Sequence, residues 1–302
     1  MTSDKEAPKA VNWIASIYSG PGRTLPAEFA EAVMALEKTL EIPLWLLVQS
    51  GGDKFSGLEE DLVESLLAAK AELPEGSPVG LLIDSPGGFA KCAYQIATIL
   101  KARCGGFTAI VPRYAKSAAT LLALGADPIL LGMHAELGPL DAQYHDPERE
   151  EWVSALDEVQ ALERLHAFAL ESVDQTMFLM TPRTRKKIET LLPMILRFVS
   201  DMTRPLFEKI DAVHYTQMSR TLKVSEEYAI RLLQTKYTMK KAQEIARRLV
   251  SHYPEHGFMI DIAETGAFGL ELKPVSDNQQ AIFDCMRPFL ARLTAIGYLK
   301  EG

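Results

Sequence analysis

Short apolar runs recur through the first half of this chain: Trp13 to Tyr18, Leu44 to Gln49, Val79 to Ile83, Phe107 to Val111 and Pro128 to Leu131. Between them lie stretches with apolar residues at helical spacing. One starts near Pro26, and others cover Leu58 to Lys70, Ala90 to Arg103 and Ser117 to Gly125. The runs read as buried strands and the stretches as helices. Their regular alternation predicts βαβ crossovers and a mostly parallel sheet. Functional groups in such folds gather beyond the carboxyl ends of the strands.

After about residue 150 the strand signal fades. Glu151 to Asp174, Arg183 to Ser200, Pro205 to Thr221, Ser225 to Gln234 and Met239 to Ser251 read as helices. The expected organisation has four parts. Residues 1–10 are a flexible tail and 11–150 a βαβ core. Residues 151–251 are a helical segment, either an oligomer interface or a lid. Residues 252–302 supply a closing strand and a C-terminal helix that complete the core. The loop Ser19-Gly20-Pro21-Gly22-Arg23 separates the first strand from the first helix.

Two predicted strand ends carry chemistry. One is Asp84-Ser85-Pro86-Gly87-Gly88, the other Tyr114-Ala115-Lys116-Ser117-Ala118-Ala119-Thr120. Paired glycines at such a turn leave backbone N–H groups free to face an anion. A serine at a helix start places its hydroxyl in a positive field. Together they can hold a carbonyl, stabilise its oxyanion and attack it. Taken singly, Ser117 reads as a helix cap and Pro86-Gly87-Gly88 as a tight turn. Their conjunction at equivalent ends of one sheet is the informative feature.

Composition narrows the classes. The chain has 302 residues, with 47% hydrophobic and 24% charged, and a net charge of −8. That balance argues against a nucleic-acid surface. The densest basic cluster, Arg183, Arg185, Lys186 and Lys187, reads as a solvated face. Cys92, Cys104 and Cys285 form no CxxC pair, which fits a reducing cytoplasm without disulfides. The N-terminal MTSDKEAPKA lacks the apolar centre of a signal peptide, and no apolar run approaches the roughly 20 residues of a membrane span. A soluble, cytoplasmic protein without stable membrane insertion is expected. His252 and His256 have the spacing of a helical zinc pair, but Pro254 between them spoils the helix. No metal and no cofactor is expected.

The text around the two motifs resembles a known family. "DSPGG", "YAKSAATLLALGAD" and "ELGPLDAQ", and toward the end "LVSHYPEHGFMIDIAETGAFGL", are similar to the serine dehydrogenase proteinase-like family. That family belongs to the Clp protease/crotonase superfamily and is related to signal peptide peptidase A. The resemblance implies an α/β fold, a Clp/crotonase-like spiral of βαβ units with a largely helical C-terminal half. It implies Ser117 as nucleophile, and Gly87 and Gly88 as oxyanion-hole amides helped by Ala118. It also implies assembly into homo-oligomers.

The general base is the open point. Pro139 falls where Clp proteases carry their histidine, and no lysine occurs from Ser117 to Arg185. By alignment with the family's end, His256 falls near the position of the Clp aspartate, and Asp141 near that of the lost histidine. A rearranged Ser117–His256–Asp141 constellation follows, with turn and cap roles as the plain alternatives for the last two. Lys116 adjoins Ser117 but reads as a groove or surface charge. His145 lies in a charged run, His134 and His166 have no supporting context, and His214 reads as packing. Lys240 and Lys241 read as solvent-facing. The expectation is an ATP-independent serine endopeptidase acting on peptide or protein substrates. The alternatives are a catalytically inactive binding or scaffold member, or a crotonase-like enzyme acting on acyl-CoA.

Overall fold

The computed structural model describes residues 13–18, 25–49, 54–146 and 150–299. The tail at 1–10 and the loop at 19–23 lie outside the described residues. The chain divides into two compact units, 1–140 with 224–302, and 141–223.

The first unit begins with β1 (Trp13–Tyr18), α1 (Ala27–Leu40) and β2 (Leu44–Gln49). It continues through α2 (Glu60–Ala68), β3 (Val79–Asp84), α3 (Ala90–Cys104) and β4 (Phe107–Val111). Then come β5 (Tyr114–Ala115), α4 (Ala118–Leu124), β6 (Ile129–Leu131) and β7 (Glu136–Leu137). The helix expected from Leu58 starts later, because Leu58 pairs with Gly88 in a parallel bridge.

The second unit opens with β8 (Gln143–Asp146) and β9 (Glu151–Ser154). These form an antiparallel hairpin where the sequence predicts the start of a helix at Glu151. The reason is local. Ser154 is extended and accepts a hydrogen bond from the Leu156 N–H, so it caps α5 (Ala155–Thr184). Asp157 and Glu158 in the first turn complement the helix terminus. After α6 (Ile188–Phe207) comes α7 (Ala212–Leu233), one helix where two are expected. Leu222 to Val224 holds no glycine or proline, so nothing breaks the helix there. In this unit Leu191, Ile195 and Val199 are buried, packed by Ala169, Val173 and Met177. Both sets recur every fourth residue, which makes one stripe on each helix.

The division between units falls within α7, earlier than the Ser251 boundary read from sequence. The first unit then resumes and continues with α8 (Met239–Ser251), α9 (Ile262–Ala267), α10 (Asp277–Leu290) and β10 (Thr294–Leu299). The C-terminal helix therefore precedes the closing strand. Among the described residues, no helix is long and apolar enough to cross a membrane.

The main sheet has the order β1-β10-β2-β3-β4-β6. Its four consecutive strands β2, β3, β4 and β6 are parallel, and β10 runs antiparallel to β2 and β1. The parallel strands are buried along their whole length, as continuous apolar runs require. Leu44, Leu46 and Val48 point to one face. There they meet Phe29, Val33 and Leu36 of α1 and Phe283, Met286 and Leu290 of α10. Trp45 and Leu47 point to the other face, toward Leu62 and Leu66 of α2 and Ile96 and Leu100 of α3.

A second row of short pairings follows the carboxyl ends of these strands. Leu58 pairs with Gly88, Ser85 with Ala115, Ala115 with Leu137, and Leu137 with Ile260. Each chain segment leaving one strand thus docks on the segment leaving its neighbour. This repeat is what makes the βαβ units a spiral. The two motifs lie side by side in this row.

A buried ion pair sits behind them. Asp84, the last residue of β3, is fully buried. Arg113, just beyond β4, donates to both its oxygens, Nε at 2.8 Å and Nη2 at 2.5 Å. Nη2 also donates to the Leu290 carbonyl at 3.0 Å, and the guanidinium lies over the Tyr114 ring. Burial pushes the Asp84 carboxyl above the ordinary carboxylate range, and the Arg113 hydrogen bond and charge oppose that. Removing one partner strands the other. Arg113→Leu should cost about 3 kcal/mol by urea denaturation, and Asp84→Leu/Arg113→Leu should regain most of it. In Arg113→Leu the folded-state pKa of Asp84 lies still further above its unfolded value. Stability is then greatest below the unfolded value and falls as pH rises through the folded one, so the deficit should be larger at pH 8 than at pH 5.

Candidate active site

Ser117 sits at the N-cap of α4 with φ 50° and ψ −123°. For a residue with a Cβ this region is strained, at about 1–3 kcal/mol, and such strain concentrates at functional sites. Its side chain makes no capping hydrogen bond. Among the described residues the Ser117 hydroxyl bonds to no side chain, and the residue is half-buried. A capping serine engages its oxygen with the helix amides; this one leaves it open.

What holds Ser117 in that geometry is the row of strand-end pairings. The Lys116 N–H donates to the Ser85 carbonyl at 3.0 Å, and the Ser85 N–H to the Tyr114 carbonyl at 3.2 Å. From that common base the two motifs run on together. A Cβ built on Gly87 would lie 2.6 Å from the Lys116 carbonyl oxygen and 2.8 Å from the Ser117 Cβ. Only glycine fits there, and its φ of +105° asks for glycine independently. Gly88, with φ +145°, meets the Leu58 backbone at 2.5 Å from such a Cβ. The glycine pair is therefore wedged between the Lys116–Ser117 loop and the Leu58 ledge.

The backbone donors divide. The Gly87 N–H donates to the Ser85 hydroxyl oxygen at 3.1 Å within its own turn. The N–H groups of Gly88 and Ala118 donate to nothing among the described residues. Below the serine, Thr120 is fully buried and donates to the Ala115 carbonyl at 2.6 Å. It also accepts from the Gly138 N–H at 2.9 Å. It ties α4 to β5 and to the exit of β7. Sequence reasoning passes over this threonine; the signal is a lone polar residue inside the apolar run Ala118 to Leu124.

The other predicted residues lie on other elements. Lys116 is engaged: its Nζ pairs with Glu136 at 2.9 Å and donates to the Phe258 carbonyl at 3.3 Å. His256 is half-buried on the segment between α8 and α9. That segment is anchored beside the serine loop, because Phe258 meets Lys116 and Ile260 pairs with Leu137. Tyr253 stacks on Phe258 at 4.9 Å. Burial first, then the bond to Glu264, pushes the Tyr253 phenol up to about 12. Asp141 belongs to the second unit, where its carboxylate accepts from the Ser154 hydroxyl at 2.9 Å. Ser154 in turn caps α5. His214 meets the Tyr144 hydroxyl at 3.0 Å in that same unit. Lys241 donates to the Phe268 carbonyl at 2.9 Å.

Two uncharacterized proteins of Methanocaldococcus jannaschii, MJ1495 and MJ0137, are each 27% identical over 219 residues, or 72% of this chain. The alignments cover 59% and 61% of those proteins, so the chain spans about three fifths of their length. Among solved structures, a ClpP1 mutant from Listeria monocytogenes overlays with a TM-score of 0.34 and 12% identity. That overlay covers 80% of this chain and 98% of the other. The model of one protein family matches residues 53–204, half of the chain, across the glycine turn, Ser117 and the first helices of the second unit. The chain belongs to the family of ClpP-like SDH-type serine proteinases.

Proposed function

We propose that this protein is a serine peptidase that hydrolyses peptide bonds through an acyl-enzyme on Ser117, without ATP and without a cofactor. The observation that carries this reading is the strained, uncapped Ser117 packed against Gly87, beside two unengaged backbone N–H groups. Ser117 Oγ attacks the peptide carbonyl carbon, forming a C–O bond. The carbonyl oxygen gains negative charge and is held by the Gly88 and Ala118 N–H groups. The C–N bond then breaks, and the amine leaves with the proton taken from Ser117. Water attacks the ester and releases the acid. Gly87 contributes by shape, since its missing Cβ lets the turn lie on the serine, while its N–H stays with Ser85.

His256 is proposed as the base that takes and returns the proton. Its support is position: its segment lies against Lys116 and Leu137, next to the serine. Catalytic hydrogen bonds tighten when substrate binds, so the open hydroxyl is compatible with this role. The same open hydroxyl favours a second reading, a scaffold member that binds peptides without cleaving them.

The exposed face of the second unit supports self-association. Phe178 is 80% exposed and Phe198 58%, with Ile188 and Met194 also exposed. On α6 the apolar residues extend well beyond the stripe that α5 covers. We propose that this face meets a second copy of the chain. Light scattering at micromolar concentration should give an oligomer, and Phe178→Glu/Phe198→Glu should shift it toward the monomer.

A fluorophosphonate probe should label the wild-type protein at Ser117, and casein should be digested equally with and without ATP. Ser117→Ala should abolish both reactions yet cost less than the about 1 kcal/mol that a capping serine loses. Ser117→Gly should be more stable than Ser117→Ala by about 1 kcal/mol, because glycine relieves the positive φ. Finally, His256→Ala should lower turnover about as far as Ser117→Ala, since members of one catalytic unit are not additive. Wild-type turnover in His256→Ala would move the base elsewhere. A wild-type protein that binds peptide but neither labels nor cleaves would favour the scaffold.

A further inference from the structure

Gln49 is the last residue of β2, and its side chain is fully buried. A buried primary amide is costly unless its donors and acceptor are all engaged. Here they are. Gln49 Nε2 donates to the Phe55 carbonyl at 2.6 Å and to the Gly57 carbonyl at 2.8 Å. Its Oε1 accepts from the Ser85 hydroxyl at 2.6 Å. Ser85, also fully buried, accepts in turn from the Gly87 N–H.

The two carbonyls held by Gln49 belong to the ledge on which the glycine turn rests. Just beyond Gly57, the Leu58 N–H donates to the Gly87 carbonyl at 2.7 Å, and the Phe89 N–H to the Leu58 carbonyl at 2.8 Å. The bonds therefore close a ring, from Gln49 to the ledge, from the ledge to Gly87 and Phe89, and from Gly87 through Ser85 back to Gln49. Gly88 lies inside it, with its peptide plane fixed from both sides. Its N–H is the one group of this turn left without an acceptor among the described residues.

We infer that Gln49, acting through Ser85 and the Phe55–Leu58 ledge, is a positioning residue that aims the Gly88 N–H at the reacting carbonyl oxygen. This rests on the reading of Ser117 as nucleophile. An oxyanion donor acts only within about 3 Å of where the charge develops, and its loss costs about 100-fold or more. A donor left in place but poorly aimed loses part of that. The bonds of Gln49 reach no part of Ser117 itself, so the effect must travel through the turn.

The test is the second-order rate of fluorophosphonate labelling in the full chain, measured in Gln49→Met, Ser85→Ala and the double variant. Gln49→Met keeps the length of the side chain and removes its polar atoms. Labelling should slow at least about tenfold in each single variant, at a temperature below both melting transitions. The double variant should be no slower than the worse single one, because both act on the same ring. Hydrogen exchange at the Leu58 and Phe89 amides should quicken in Gln49→Met, while the amides of β3 and β4 keep their protection. If Gln49→Met does not fold, Ser85→Ala carries the test alone with the same readouts. Wild-type labelling rates in folded variants would overturn the inference, as would slowed labelling with unchanged exchange at Leu58 and Phe89. Slowing that simply adds in the double variant would also count against it. A wild-type protein that the probe does not label sinks the reading of Ser117, and this inference with it; that result is distinct, because it appears before any variant is made.

Discussion

The site depends on one constraint, the parallel register of β3 against β4. Val79 lies opposite Phe107 and Leu82 opposite Ile110, so the two strands start level and end within one residue of each other. Beyond the sheet Ser85 pairs with Ala115, two residues out of that register, because the chain takes two extra residues between β4 and β5. Two residues further along each segment, Gly87 meets Ser117. A slip of one residue would turn every side chain of β4 to the opposite face and carry Ser117 away from the glycines. The strands are buried on both faces, so the apolar core enforces this register. The precision of the site is thus a by-product of packing that occurs well away from it.

Packing alone would leave the strand-end segments free to shift, because turns carry few apolar contacts. Buried polar groups do that work here. Asp84 with Arg113 ties the end of β3 to the segment after β4. Gln49 with Ser85 ties the end of β2 to the glycine turn. Thr120 ties α4 to β5 and to the segment leaving β7. Each is a directional contact in a low-dielectric setting, where a satisfied network is rigid and a half-satisfied one is costly. None is the cheapest way to gain stability, since apolar residues of similar volume would serve the core as well. Their common property is place, as all lie at carboxyl ends of the parallel strands. Only direction-specific bonds can hold a backbone amide to a fraction of an ångström.

Much of this was legible in the residues. The apolar runs delimit β2, β3 and β4 closely, because strands buried on both faces leave an unbroken apolar record. Glycines at 87 and 88 mark a tight turn, and both have the positive φ that glycine permits. The positive φ at Ser117 is not announced by its residue type, which reads as an ordinary helix cap. Other features leave no such record. The β8–β9 hairpin lies in a polar stretch where Glu151 to Ser154 fits helix or strand equally, and only the extended Ser154 decides it. The merging of two expected helices into α7 turns on Leu222 to Val224, which neither breaks nor marks a helix. Gln49 reads simply as the polar end of an apolar run. Its importance lies in partners at 55, 57 and 85, and nothing local announces a contact of that range. Gly87 shows the limit at the finest scale. Its identity could be read, but the direction of its N–H could not, and that direction decides which amides remain for a ligand.

The base is the remaining step, and the neighbours of Ser117 restrict it. Lys116 is the nearest cation in sequence, yet its ammonium group is paired with Glu136 and bonded to the Phe258 carbonyl. Both contacts hold the end of its side chain in place, between β7 and the segment that carries Phe258. Lys116 therefore works as an anchor that draws the 258–260 segment against the serine loop. The same anchor brings His256 into the neighbourhood, on a stretch held at Tyr253 and Phe258 by their stacked rings and at Ile260 by its pairing with Leu137. Fixed points on both sides leave little freedom for the backbone. Any approach of the imidazole to Ser117 has to come from side-chain rotation and from the Glu255-His256-Gly257 turn. On the proposal that His256 is the base, the proton acceptor would lie on the element that Lys116 and Glu136 hold in place. The lysine and the histidine would then divide between them the two tasks of a base, one fixing the position and the other carrying the proton.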